Sequence, residues 1–172
     1  MARPADSTTE EPCAIFVYGT LKRGEINHRL LASAIQSIER GWVNGVLHDV
    51  GEFPAMVEGA GRVHGELIWL ASDDLSRILP ILDRLEGYDP GDEPGSLYHR
   101  RIVEVTAESG TREWAYAYYC NPAHPDMPPL NCFPVVEGGE WLGVAAVPPA
   151  AGSSGLDDYR EWVRSFVEHE GF

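Results

Sequence analysis

The chain has 172 residues, with 13 lysines and arginines against 27 aspartates and glutamates, a net charge of −14. That length suits about one domain with its own core, and 44% apolar residues argue against wholesale disorder. So acidic a chain lacks the footprint for phosphate backbones and is repelled by anionic membranes, and no apolar run approaches the roughly 18 residues of a spanning helix.

Residues 1–12 are polar, carry Pro4 and Pro12 and have no apolar h-region. They predict a disordered tail rather than a signal peptide. Cys13, Cys120 and Cys132 are odd in number and form no CxxC pair, which points to free thiols in a reducing cytoplasm. Residues 13–18, CAIFVY, predict a buried central strand that ends at Gly19. Leu30, Leu31 and Ala34 then recur at helical spacing, so residues 27–35 predict a short helix with Asn27 as its cap. Strands are predicted around 41–50 and 62–70, with glycines at 45, 51, 59, 61 and 65 marking bulges and turns of a small barrel.

Residues 72–85 give the clearest helix signal. Ser72 or Asp73 serves as its cap and Gly87 stops it. Leu75, Ile78, Leu79, Leu82 and Leu85 form one stripe, and Pro80 inside predicts a kink or two shorter helices. Residues 88–97 read as loop. Residues 99–105 and 112–119 alternate as two strands joined by a turn at 108–110. Residues 121–134 hold five prolines and are predicted irregular, and 138–141 predict a turn. Residues 148–155 read as linker. Residues 156–168 predict a last amphipathic helix, packed on the domain or on a second subunit of a homodimer. The element order predicts an α+β fold, a small mixed β-barrel with flanking helices, spanning residues 13–147.

Two features bear on chemistry. In Tyr18-Gly19-Thr20-Leu21 a buried strand runs into a glycine turn. Either successive backbone N–H groups face one way there, as an anion nest or oxyanion hole, or this is an ordinary turn with Gly19 at positive φ. On the spacing Leu75–Leu79–Leu82 the next position is Glu86. Either its carboxyl lies on the core side at the negative end of the helix, where its pKa rises toward the range of a general base, or it sits in water on a frayed last turn. The six histidines show no metal-binding spacing, no GxSxG marks a nucleophile, and neither GxGxxG nor GxxxxGK[ST] marks a nucleotide. No cofactor and no metal are expected.

The segments FVYGTLKRGEINHRLL, FPAMVEGAGRVHGELIWL, ILDRLEGYDP, LYHRRIVEV, AYAYY and GGEW, in this order over about residues 14–142, resemble the γ-glutamylcyclotransferase family. The likeness is to the branch that includes γ-glutamylamine cyclotransferase, the butirosin-biosynthesis cyclotransferase and plant AIG2-like proteins. The resemblance implies cleavage of a γ-glutamyl amide by attack of its own α-amine, with release of 5-oxoproline and a free amine and without cofactor or metal. It implies that Tyr18, Gly19, Thr20 and Leu21 hold the glutamyl group through main-chain N–H groups, that Glu86 is the acid/base, and that Tyr98 and Tyr118 line the pocket. The chain departs from the family pattern in the Pro-rich segment 121–134, in the extension beyond Gly143 and in the acidic loop after Glu86. Either that loop, with Asp89, Asp92 and Glu93, favours a cationic leaving amine, or it is a merely solvated acidic loop. The alternative is a non-catalytic binding or interaction protein of the same fold.

Overall fold

Ala14–Val17, four consecutive buried apolar residues, form β1. The computed structural model describes residues 11–51 and 53–143. Strand β1 runs antiparallel to β3 (Pro54–Leu70), with Ala14 opposite Trp69 and Val17 opposite Glu66. β3 forms a long hairpin with β2 (Ile35–Asp49). β4 (Tyr98–Ala107) and β5 (Arg112–Cys120) form a second hairpin, from Tyr98 opposite Cys120 to Thr106 opposite Arg112. β2 joins β4 at Gly41 and Trp42. β5 returns parallel to β1, with Ile15 opposite Tyr116, and closes a barrel in the order β1-β3-β2-β4-β5. One parallel contact among antiparallel ones makes the barrel mixed.

The alternation along β1 sends its residues to opposite sides of the barrel wall. Ile15 and Val17 join the cluster that contains Ile68, Tyr116 and Tyr118, while Ala14 and Phe16 join Val63, Leu67, Val103 and Trp141. At Gly65 a Cβ would lie 2.2 Å from the Val17 carbonyl oxygen. Only glycine allows β3 to pass this close to the end of β1.

Helix α1 (Ser72–Leu85) buries Leu75, Ile78, Leu79 and Leu82 in the same cluster as Ile15 and Ile68. Two expectations for this helix are corrected here. The cap position is Ala71, and neither Ser72 nor Asp73 caps the helix, since both lie inside it. Pro80 does not split the helix either. It is exposed, and its missing N–H costs one solvent-side hydrogen bond while the opposite stripe stays packed. The helix predicted over 27–35 is reduced to a 3-10 turn, His28–Leu30, because β2 already begins at Ile35. Strand β2 is therefore longer than its predicted 41–50, and β3 longer than 62–70. The segment 121–134 is irregular apart from the 3-10 turn Leu130–Cys132, and Gly138 and Gly139 turn the chain at positive φ. Among the described residues no helix is long and apolar enough to cross a membrane. Residues 1–10 of the predicted tail, the linker and the helix predicted over 156–168 lie outside the described residues.

Candidate active site

The end of α1 places Glu86. Gly87 takes a positive φ of 62°, its N–H bonds the Arg84 carbonyl at 3.2 Å, and the Tyr88 N–H bonds the Asp83 carbonyl at 2.8 Å. This Schellman closure makes Glu86 the last, half-helical residue. A carboxylate there meets the negative end of the helix dipole. Glu86 is partly buried as a residue. Burial of its carboxyl, and then the neighbouring negative charge of Asp83, push it up to about 7 from an ordinary 4.5.

Two tyrosines feel the Glu86 charge. Tyr18 follows β1, and its hydroxyl donates to the Tyr118 carbonyl at 2.7 Å. Tyr118 on β5 donates its own hydroxyl to Asp83 Oδ1, also at 2.7 Å. Burial raises both phenols above their ordinary range, and the charge of Glu86 raises both further. Glu86 is thus electrostatically coupled to β5 and to the residue that opens the 18–21 turn.

That turn is ordered by its carbonyls. The Gly19 oxygen accepts from the Lys22 N–H at 3.1 Å and the Thr20 oxygen from the Asn27 N–H at 2.9 Å. The Leu21 oxygen lies 2.9 Å from His28 Nδ1, which must carry the proton in that contact. The buried Asn27 also donates Nδ2 to Thr20 Oγ1 at 3.0 Å, so its side chain serves this turn and not the helix it was expected to cap. Among the described residues none accepts a hydrogen bond from the N–H of Gly19, Thr20 or Leu21. A loop whose carbonyls are tied back and whose amides are open offers donors to an anion. Gly19 is not at positive φ. Its lack of a side chain serves contact instead, since a Cβ would lie 2.8 and 2.9 Å from the ring carbons of Pro54.

Among the residues singled out from sequence, Tyr18, Tyr118 and Glu86 come together, with Gly19, Thr20 and Leu21 continuing from Tyr18. Tyr98 is buried in the same cluster as Tyr118, opposite Cys120 across the β4–β5 ladder. The acidic loop serves its own backbone. Asp89 Oδ1 accepts the Gly91 N–H and Asp92 Oδ1 the Gly95 N–H, while Glu93 pairs with Arg101 at 2.8 Å. A separate cleft of about 150 Å³ is lined by Lys22, Arg23, Arg40, Gly65, Glu66 and Glu140. Arg23 pairs there with Glu66 and Arg40 with Glu140, Lys22 Nζ donates to the Trp141 carbonyl, and neither Glu86 nor either tyrosine borders the cleft.

Sequence reasoning missed Asp83 and Arg100. Arg100 Nη1 donates to Asp83 Oδ2 at 2.7 Å, and its guanidinium stacks over the rings of Tyr88 and Tyr116. The available signal was a carboxylate three residues before Glu86 and four after Leu79, on the side of the helix that also carries the stripe.

The sequence matches the family described as "Gamma-glutamyl cyclotransferase, AIG2-like" over residues 15–143. It is 35% identical over 107 residues to the gamma-L-glutamyl-butirosin B gamma-glutamyl cyclotransferase of Niallia circulans, covering 60% of this chain and 65% of that one. It is 27% identical over 128 residues to the gamma-glutamylcyclotransferase family protein ytfP of Citrobacter rodentium, covering 74% and 94%. Among solved structures it is similar in fold to an AIG2-like protein from Mus musculus, with a TM-score of 0.57 at 23% identity over 84% of this chain and all of that one.

Proposed function

The chain belongs to the gamma-glutamyl cyclotransferase, AIG2-like family, and we propose that it cleaves a γ-glutamyl amide, releasing 5-oxoproline and a free amine. The observation that carries this reading is Glu86, its carboxyl raised to about 7 and its charge felt by Tyr18, the residue that opens a turn with three open amides.

At neutral pH the substrate's α-amine is protonated and cannot attack. The Glu86 carboxylate takes that proton. The freed amine attacks the γ-carbonyl carbon and forms the C–N bond of a five-membered ring. Nucleophile and electrophile are tethered, so the site has only to hold the folded-back chain. The oxygen of the tetrahedral intermediate becomes anionic and takes hydrogen bonds from the amides of the turn. Glu86 then hands its proton to the departing nitrogen as the original C–N bond breaks, the ring nitrogen's remaining extra proton passes to the freed amine, which leaves as its ammonium, and no water is consumed. A carboxyl near 7 suits both halves of this exchange.

The direct test is incubation of the protein with a panel of γ-glutamyl amines, neutral and cationic, with 5-oxoproline followed by mass spectrometry. Release from at least one, lost in Glu86→Gln, is the expected result, and no release from any overturns the proposal. Gly19→Ala places a methyl against Pro54 and displaces the turn. It is expected to lower kcat/KM by about tenfold or more while the protein stays folded by circular dichroism.

The leaving amine is proposed to be cationic. Supporting this are Asp89 and Asp92, exposed three and six residues after Glu86; Glu93 is already neutralised by Arg101. Asp89→Asn with Asp92→Asn keeps a side-chain oxygen for the Gly91 and Gly95 amides and removes two charges. At low salt this pair of changes should reduce the kcat/KM advantage of cationic over neutral amides. The difference should shrink as ionic strength rises and the screening length falls toward about 8 Å. An unchanged preference at low salt would place specificity elsewhere.

A further inference from the structure

We propose that Asp83 is a positioning residue for this site, holding Glu86 and Tyr118 in register through its bonds to Arg100 and to the Tyr118 hydroxyl. The proposal deepens the cyclotransferase reading and rests on it for its catalytic part.

Asp83 is buried at 9% exposure and its two oxygens are both used. Oδ1 accepts from Tyr118 on β5 and Oδ2 from Arg100 on β4, each at 2.7 Å. Its backbone carbonyl accepts the Tyr88 N–H in the closure that makes Glu86 the end of the helix. Asp83 and Glu86 are three residues apart and so share one helix face. One residue thus ties the last turn of α1 to two strands of the barrel, directly before the carboxyl that carries the chemistry. Tyr118, held by Asp83, in turn offers its carbonyl to the Tyr18 hydroxyl, so the same connection reaches the open-amide turn.

A pair as enclosed as Asp83 and Arg100, with side-chain exposures of 12% and 22%, is a poor means of gaining stability. Desolvation offsets most of the attraction, and apolar residues of the same volume commonly do as well. What the charge supplies is local. It opposes ionisation of Glu86 and is itself compensated by Arg100. Among the described residues, the titratable and charged groups that act on Glu86 or feel its charge are Asp83 from α1, Tyr18 beyond β1 and Tyr118 from β5. Arg100 from β4 lies behind Asp83.

The test uses the full chain and two variants of opposite electrostatic sign. Carboxyl titration by ¹³C NMR, with Glu86 assigned by its disappearance in Glu86→Gln, requires no substrate. Asp83→Asn is expected to move the Glu86 titration to lower pH. Arg100→Gln keeps a donor for Asp83 but removes its counter-charge, and is expected to move the titration to higher pH. In kinetics the acid limb of kcat/KM should follow the same two directions, with kcat in Asp83→Asn down about tenfold and KM changed less. Titrations left unmoved, or both moved the same way, overturn the proposal and reduce Asp83 to a stabilising contact. If Asp83→Asn does not fold, the upward shift in Arg100→Gln decides the matter alone. Failure of the wild type to release 5-oxoproline would overturn the proposed function and leave the titration result standing.

Discussion

Glu86→Gln is expected to lower turnover by at least about 10²-fold at pH 8, the usual worth of general acid–base catalysis. Glutamine keeps the shape and a hydrogen-bonding oxygen but can neither take the proton of the α-ammonium nor return one to the leaving nitrogen. The amides of Gly19, Thr20 and Leu21, proposed to hold the substrate, are untouched, so KM should change little. In the wild type the acid limb of kcat/KM should fall near pH 7, where Glu86 loses its proton. Steady-state release of 5-oxoproline across pH 5 to 9 checks both statements. A variant with near-normal kcat would remove Glu86 from the mechanism, whatever the products.

The same substitution should stabilise the fold, and only at higher pH. The Glu86 carboxyl titrates near 7 in the folded chain against an ordinary 4.5. Below about pH 4.5 it is neutral in both folded and unfolded states and contributes no penalty. As pH rises from 4.5 to 7 the unfolded chain sheds this proton while the folded chain keeps it, so stability falls. Above 7 the loss is complete. At 1.36 kcal/mol per pH unit the gap amounts to about 3 kcal/mol. Partial exposure of Glu86 reduces this to roughly 2 kcal/mol. Glutamine does not ionise and carries none of it. Urea unfolding should therefore show the variant equal to the wild type at pH 4.5 and roughly 2 kcal/mol more stable at pH 8. Equal stabilities at pH 8 would mean that the carboxyl is solvated. Loss of activity together with gain of stability is the pattern expected when a group is held in an unfavourable protonation environment for function.

Features that depend on near neighbours in the chain were legible in the sequence. The stripe Leu75–Leu79–Leu82 carries α1 onto the barrel, and Gly87 ends it. Buried apolar runs and alternation marked β1, β4 and β5, because a strand's two faces follow from a period of two. The place of Glu86 at the end of α1 followed from the same helical count. What the sequence concealed was tertiary. Asn27 reads as a helix cap, yet its partner is Thr20, seven residues back across a turn. Gly19 reads as a residue of unusual φ, and its true constraint is the ring of Pro54, 35 residues on. Asp83, on α1, meets Arg100 and Tyr118 from two strands of the barrel, and no local periodicity signals such a meeting. Pro80 misled in the other direction, because a proline on an exposed face costs little when the buried face is continuous.

The central claim is that the substrate's own amine, released by Glu86, is the nucleophile. A single turnover in ¹⁸O-enriched water, with products separated by mass, tests this most directly. Intramolecular attack predicts unlabelled 5-oxoproline and free amine in equal amounts, since no water enters the reaction. Glutamate carrying one ¹⁸O would show that water attacks the γ-carbonyl, and would contradict the account.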